Sequence, residues 1–304
     1  MEVAVTGATG MIGSALVPAL AAAGHNVRRV VRSDPGPGEV GWDPAAGTID
    51  TAGLEGVEGV VHLAGVGIGE KRWTEPEKQR IRDSRVQGTT LLATTLARLA
   101  NPPRVLVSQS AVGYYGHRRG DEVLTEESSP GTGFLAEVVR DWEAASRPAT
   151  EAGIRLVNTR SGVVITPAGG ALKRQLPFFR LGVGGPLGSG RQWLSWVSIH
   201  DEVGGLLHAL TTDSLSGPVN LTAPNPCTSK EFARALGRAL HRPAVLPVPK
   251  LALTAVVGGE LADQMALASQ RAVPSRLVAS GYAFRHPDID AALHAVLGRS
   301  EGAA

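Results

Sequence analysis

"VTGATGMIGSAL", residues 5–16, places Gly7, Gly10 and Gly13 at three-residue intervals. The stretch leaves an apolar run, "EVAVTG" (2–7), and opens a helical pattern, "MIGSALVPALAAAG" (11–24), that closes on Gly24, a fitting C-terminal cap. In a strand-to-helix loop that holds a pyrophosphate, each glycine has its own task. Gly7 permits the tight turn, Gly10 lets the backbone approach the phosphates, and Gly13 lets the helix pack close to the strand. Thr9, Met11 and Ile12 complete the loop. The helix N-terminus adds unpaired N–H groups and the positive end of a dipole. A glycine motif alone is weak evidence. Its place between the first strand and first helix of a βαβ unit is what specifies dinucleotide binding.

Strand-like and helix-like runs alternate beyond this loop. Strands are expected at 25–32, 57–65, 104–110 and 154–162, and helices at 74–100 and 133–153. Val- and Leu-rich strands in this order predict an α/β fold, a doubly wound parallel sheet of Rossmann type covered on both faces. After residue 165 the chain turns Gly/Pro-rich and irregular. Helices follow at 200–212, 228–240, 250–270 and 287–297, with a short strand at "GPVNLT". The reading is a nucleotide-binding domain over 1–165, a smaller α-rich C-terminal lobe over 166–298 whose segments cross back to the sheet, and a flexible tail at 299–304.

Composition narrows the function classes. With 43% hydrophobic and 19% charged residues over 304 positions, a large core can form. The net charge is +2 and basic residues look scattered, so nothing points to nucleic acid. A single cysteine, Cys227, excludes an internal disulfide and a Cys-based metal cluster. No His/Asp/Glu spacing suggests a metal site. No leader precedes the first strand and no apolar run is long enough to span a bilayer, so a cytoplasmic protein without a membrane partner is expected. The expected partner is a small-molecule substrate; oligomeric state is not legible.

The T-G-x-x-G-x-x-G spacing resembles the extended short-chain dehydrogenase/reductase family. "HLAG" (62–65), "VSQSAVGYYG" (107–116) and "SWVSIHDEV" (195–203) follow in that family's order. "RWTEPEKQRIRDSRVQGT", "DWEAA", "RSGVVI", "GVGGPLGSGRQWLSW" and "SQRAVPSRLVASGYAF" resemble its atypical epimerase/dehydratase-like subgroup, which carries a C-terminal domain of unknown function. The resemblance spans nearly the whole chain and implies a nicotinamide cofactor. It carries Leu63, Ala64 and Gly65 to the adenine-ribose side, Arg85 to a cofactor contact from the long helix, and Val164 to the nicotinamide carboxamide.

NADP(H) is the expected cofactor. An NAD enzyme ends its second strand on an acid that holds the ribose 2′-OH, whereas an NADP enzyme supplies a cation to the 2′-phosphate. Here Val31 stands at the acidic position, followed by Arg32 and Ser33. An arginine can grip a phosphate in bidentate fashion.

The resemblance also implies a Ser, a Tyr and a Lys four residues after it, the lysine lowering the tyrosine pKa. That relay is absent: Leu135 and Val139 stand where Tyr and Lys fall. Ser110 is the candidate oxyanion donor and Tyr115 the next candidate, with Ser108 as strand filling. Tyr114, His117 (in a polar loop), Lys71, Arg72 and Arg160 are further groups near the expected cleft, and His200 and Asp201 are expected to organise the fold. Two readings result. One is an NADP(H)-dependent oxidoreductase or epimerase-like enzyme; the other is a non-catalytic NADP(H)-binding redox sensor or interaction protein.

Overall fold

The computed structural model describes residues 1–32 and 34–298. Ser33 and the tail at 299–304 lie outside the described residues. The elements run β1 (Glu2–Thr6), α1 (Gly13–Ala22), β2 (Asn26–Val31), β3 (Val40–Asp43), β4 (Thr48–Ile49), β5 (Gly59–His62), α2 (Glu75–Leu96), β6 (Val105–Ala111), β7 (Arg118–Leu124), α3 (Phe134–Ala145), α4 (Arg147–Glu151) and β8 (Arg155–Ser161). They continue with β9 (Val163–Ile165), α5 (Gly170–Arg180), β10 (Trp193–Leu194), β11 (Trp196–Ser198), α6 (Ile199–Thr211), β12 (Gly217–Leu221), β13 (Cys227–Thr228), α7 (Ser229–Leu240), α8 (Lys250–Val257), α9 (Gly259–Leu261), β14 (Ser269–Ala272), α10 (Ser275–Ala279) and α11 (Ile289–Val296).

The central sheet has the order β12-β8-β6-β5-β1-β2-β3-β4 and is parallel except for β4. Strand order reverses between β1 and β5, and a doubly wound sheet binds its ligand at such a switch point. Alternating residues of each strand feed opposite faces. Val3 and Val5 pack with Leu16 and Leu20 of α1 and Leu206 of α6. Ala4 and Leu106 pack with Leu92 and Leu96 of α2. A third cluster joins Leu172 and Phe179 of α5, Phe232 and Leu236 of α7, and Leu293 of α11 around Trp196. β12 lies in the main sheet, in register with β8, so the chain returns there from its C-terminal half.

Several expected elements differ. The "irregular" stretch after 165 contains α5, an amphipathic helix that tolerates Pro177 near its last turn. The helix expected over 133–153 breaks at Ser146, where Pro148 starts the short α4. The helix expected over 250–270 divides into α8, α9 and a π-helical turn at Ala262–Ala266, with a break at Gly258, whose φ is +95°. The polar loop expected around His117 leads directly into β7, which pairs with β14 from the far end of the chain. No helix among the described residues is long and apolar enough to cross a membrane.

Candidate functional site

The glycine loop sits at the switch point. Gly7 has φ +66°, and a Cβ there would meet the Leu63 carbonyl carbon at 2.9 Å. A Cβ on Gly13 would overlap the Gly7 carbonyl oxygen and come within 2.8 Å of Ala8 Cα. Gly10 is different: it is exposed, and a Cβ there would meet only the Gly7 carbonyl oxygen, at 3.2 Å. Gly7 and Gly13 serve internal packing, whereas Gly10 faces open space. The loop's backbone bonds use the amides of Gly10, Ser14, Ala15 and Leu16. Those of Thr9, Met11 and Ile12 have no acceptor among the described residues. Met11 reaches across to the segment after β9, where a Cβ on Gly169 would meet its Sδ at 2.8 Å. Val164 lies beside that contact and is buried.

A second loop is fastened to this one by a buried histidine. The Thr6 hydroxyl accepts the amides of Leu63 and Ala64 at 3.1 and 3.2 Å and lies 2.7 Å from His62 Nδ1. Its single proton therefore goes to Nδ1, and Nε2–H donates to Thr89 Oγ1 at 2.9 Å. Burial lowers the His62 pKa to about 4, which keeps the ring neutral. The clamp holds Leu63, Ala64 and Gly65 against the glycine loop. Sequence reading quoted "HLAG" without giving its histidine a task. Arg85 of α2 lies beside Gly65, with its guanidinium 5.0 Å from the Trp142 ring centroid. Burial lowers its pKa to about 10, and it forms no ion pair among the described residues. At the end of β2, Val31 is half-buried and Arg32 is exposed. Arg32 likewise has no ion-pair partner among the described residues.

The candidate catalytic pair lies in a closed polar network. Ser110 and Arg160 are register partners on β6 and β8. The Ser110 hydroxyl donates to Glu143 Oε1 of α3 at 2.6 Å. Arg160 grips both Glu143 oxygens, at 2.7 and 2.8 Å, and donates to the Tyr115 hydroxyl at 3.2 Å. Tyr115 in turn donates to Asn220 Oδ1 at 2.7 Å. Ser110 is 1% exposed and Tyr115 0%, so both hydroxyls are spent inside the protein. Burial raises the Tyr115 pKa and the Arg160 charge only partly offsets it. Tyr114 covers the network from outside, with the Arg160 guanidinium carbon 3.4 Å from its ring centroid. Ser110, Tyr115 and Arg160 stand apart in the sequence; Glu143, which the sequence does not single out, joins Ser110 to Arg160, and Arg160 reaches Tyr115.

The remaining candidates lie outside this network. Arg72 bonds the Ala255 and Val256 carbonyls at the end of α8. Asp201 is buried and accepts the Arg285 and His286 amides at 2.8 and 2.9 Å; the N-cap of α6 is Ser198. His117 is half-buried and its pKa is lowered, first by burial and then by Arg118. Glu202, next to Asp201, was not singled out. It is fully buried, accepts from Ser161 Oγ at 2.7 Å, and burial pushes its pKa up to about 7. No group of three or more His, Cys, Asp or Glu among the described residues is placed to hold a metal.

Known proteins resemble this chain over nearly its whole length. Residues 3–221 match the NAD dependent epimerase/dehydratase family, and residues 248–296 match DUF1731, a domain of unknown function. The epimerase family protein Mb2239 of Mycobacterium bovis is 48% identical over 292 residues, covering 96% of each chain. The crystal structure of human epimerase family protein SDR39U1 (isoform 2), solved with NADPH, superposes with a TM-score of 0.90 at 38% identity, covering 98% of this chain and 99% of that one. A nucleoside-diphosphate sugar epimerase from Corynebacterium glutamicum gives a TM-score of 0.80 at 38% identity, covering 98% of this chain and 58% of that one. The chain belongs to the NAD dependent epimerase/dehydratase family, with a DUF1731 region toward its C-terminus.

Proposed function

We propose that this chain binds NADP(H) and exchanges a hydride with a small carbonyl or hydroxyl compound without a tyrosine–lysine relay. The observation that carries the cofactor reading is the cradle at Gly10, which a side chain would fill, beside the unpartnered amides of Thr9, Met11 and Ile12. These residues fit a pyrophosphate. Val31 followed by the exposed Arg32 fits a ribose 2′-phosphate, and the human relative solved with NADPH supports the same choice. Leu63, Ala64, Gly65, Arg85 and Val164 complete the proposed contacts, with Ser33 beside Arg32. Residues 1–165 make up the cofactor half, and 166–298 close the substrate side.

NADPH, when bound, supplies the hydride; the chain must place the substrate and stabilise the oxyanion that develops on it. Ser110 is the proposed donor and Tyr115 the second. Rotation of the Ser110 hydroxyl away from Glu143 leaves that carboxylate with both Arg160 bonds, so the proton is released without stranding a buried charge. The Ser110→Ala variant is expected to slow single-turnover NADPH oxidation by about 10²-fold or more, the scale of a lost oxyanion donor, with cofactor affinity unchanged. An unchanged rate removes Ser110 from the chemistry. The near-complete burial of Ser110 and Tyr115 favours a second reading, NADP(H) binding without turnover. A carbonyl panel that leaves bound NADPH unoxidised selects it.

A further inference from the structure

Lys230, Arg234, Arg238 and Arg242 recur every four residues. The first three lie along the exposed side of α7, and Arg242 follows its C-terminal cap. Four residues are a little over one helical turn, so the side chains fall in one row. The row lines a groove of about 770 Å³, to which His241 also contributes. Arg180 of α5 lines an adjoining hollow of about 290 Å³ that shares Arg242. Both lie away from the glycine loop. The whole chain has a net charge of only +2, so four cations in one row make a local positive surface that the overall balance hides. Among the described residues, Arg238 alone of these groups forms an ion pair, with Asp290 at 2.6 Å.

Ordinary helix electrostatics explains only part of the row. A helix dipole favours cations near its C-terminal end, which suits Arg238. It disfavours them in the first turn, where Lys230 stands. His241 is the only non-glycine residue with positive φ, +53°, among the described residues. Glycine would adopt that conformation freely, whereas a side chain is strained there. The position thus keeps a side chain facing the groove at a conformational cost.

We propose that this groove binds a small molecule carrying several phosphate groups. Its volume suits a discrete ligand, its arginines suit phosphate oxygens, and its lining has no Phe, Tyr or Trp, the large rings that make a stacking platform for nucleic-acid bases. The inference stands apart from the cofactor assignment. The test titrates tripolyphosphate into the full chain saturated with NADPH at about 150 mM salt. Saturable binding is expected. It should weaken about tenfold or more in Lys230→Glu/Arg234→Glu, the scale of lost charge-assisted bonds, and persist in Lys230→Arg/Arg234→Lys and in Gly10→Val. No saturable binding, or equal affinity after charge reversal, overturns the proposal. So does binding that appears only when NADPH is left out, which would place the anion in the glycine loop. Tighter binding to a single-stranded oligonucleotide or to phosphatidylserine vesicles also overturns it, in favour of a macromolecular partner.

Discussion

The glycine loop and the Ser110–Glu143–Arg160 network both gather at the C-terminal ends of sheet strands, yet they differ in what they leave free. The loop presents an open position at Gly10, amides without acceptors and an exposed Arg32. The network presents almost nothing: each hydroxyl and guanidinium in it already has a protein partner. Open polar groups at a helix N-terminus call for a ligand. Satisfied buried groups chiefly hold a fold together. The cofactor end of the site is therefore poised to bind, and any chemistry must draw on groups that first turn away from an internal partner.

The largest effects should come from the glycines, and two of them separate binding from folding. Gly10→Val is expected to abolish NADPH binding by calorimetry while circular dichroism stays near normal, because its side chain enters the cradle and meets little protein. Gly13→Val should fail to fold, since it collides with backbone on the strand side. Retained NADPH binding in Gly10→Val would mean the loop does not hold the pyrophosphate.

Arg160→Met tests the closed region. It leaves the Glu143 carboxylate half-buried beside Ser110 with its main partner gone. The expected cost is about 3–5 kcal/mol in denaturant unfolding, the scale of a broken buried pair. NADPH affinity of the folded fraction should stay unchanged. A cost below about 1 kcal/mol, the range of exposed pairs, would show that the network does not stabilise the fold.

Glu202 offers a pH-dependent contrast. Its pKa, about 7 in the folded chain against an ordinary 4.5, means the folded state holds its proton to higher pH than the unfolded one. Stability attributable to this group is present at low pH and falls as pH rises from about 4.5 to about 7. Glu202→Gln removes the need to ionise a buried acid. It should leave stability near pH 4.5 little changed and raise it at pH 8 by up to about 3 kcal/mol. Equal effects at both pH values would show that Glu202 is not held protonated.

The strand–glycine loop–helix unit was legible because its signal is local: three glycines, one strand and one helix within some twenty residues. The closed network was not. Glu143 and Arg160 come from α3 and β8, and Asn220 lies 105 residues from Tyr115. No periodicity along the chain announces such a meeting. Strand β7 was hidden for a related reason. Its polar "RRGDEVL" lacks an apolar face and becomes a strand through pairing with β14. The cations of α7 looked scattered because each stands alone in sequence and only the helix turn aligns them. Break points were missed where one residue decides, as at Pro148 and Gly258.

Calorimetric titration with NADPH and NADH decides whether the proposed Arg32 contact to the ribose 2′-phosphate selects the cofactor. NADPH should bind more tightly. Arg32→Ala should weaken NADPH by about 1.5–3 kcal/mol, the scale of a hydrogen bond to a charged group, and leave NADH almost unaffected. Equal affinities for the two cofactors in the unmutated protein would contradict this selection.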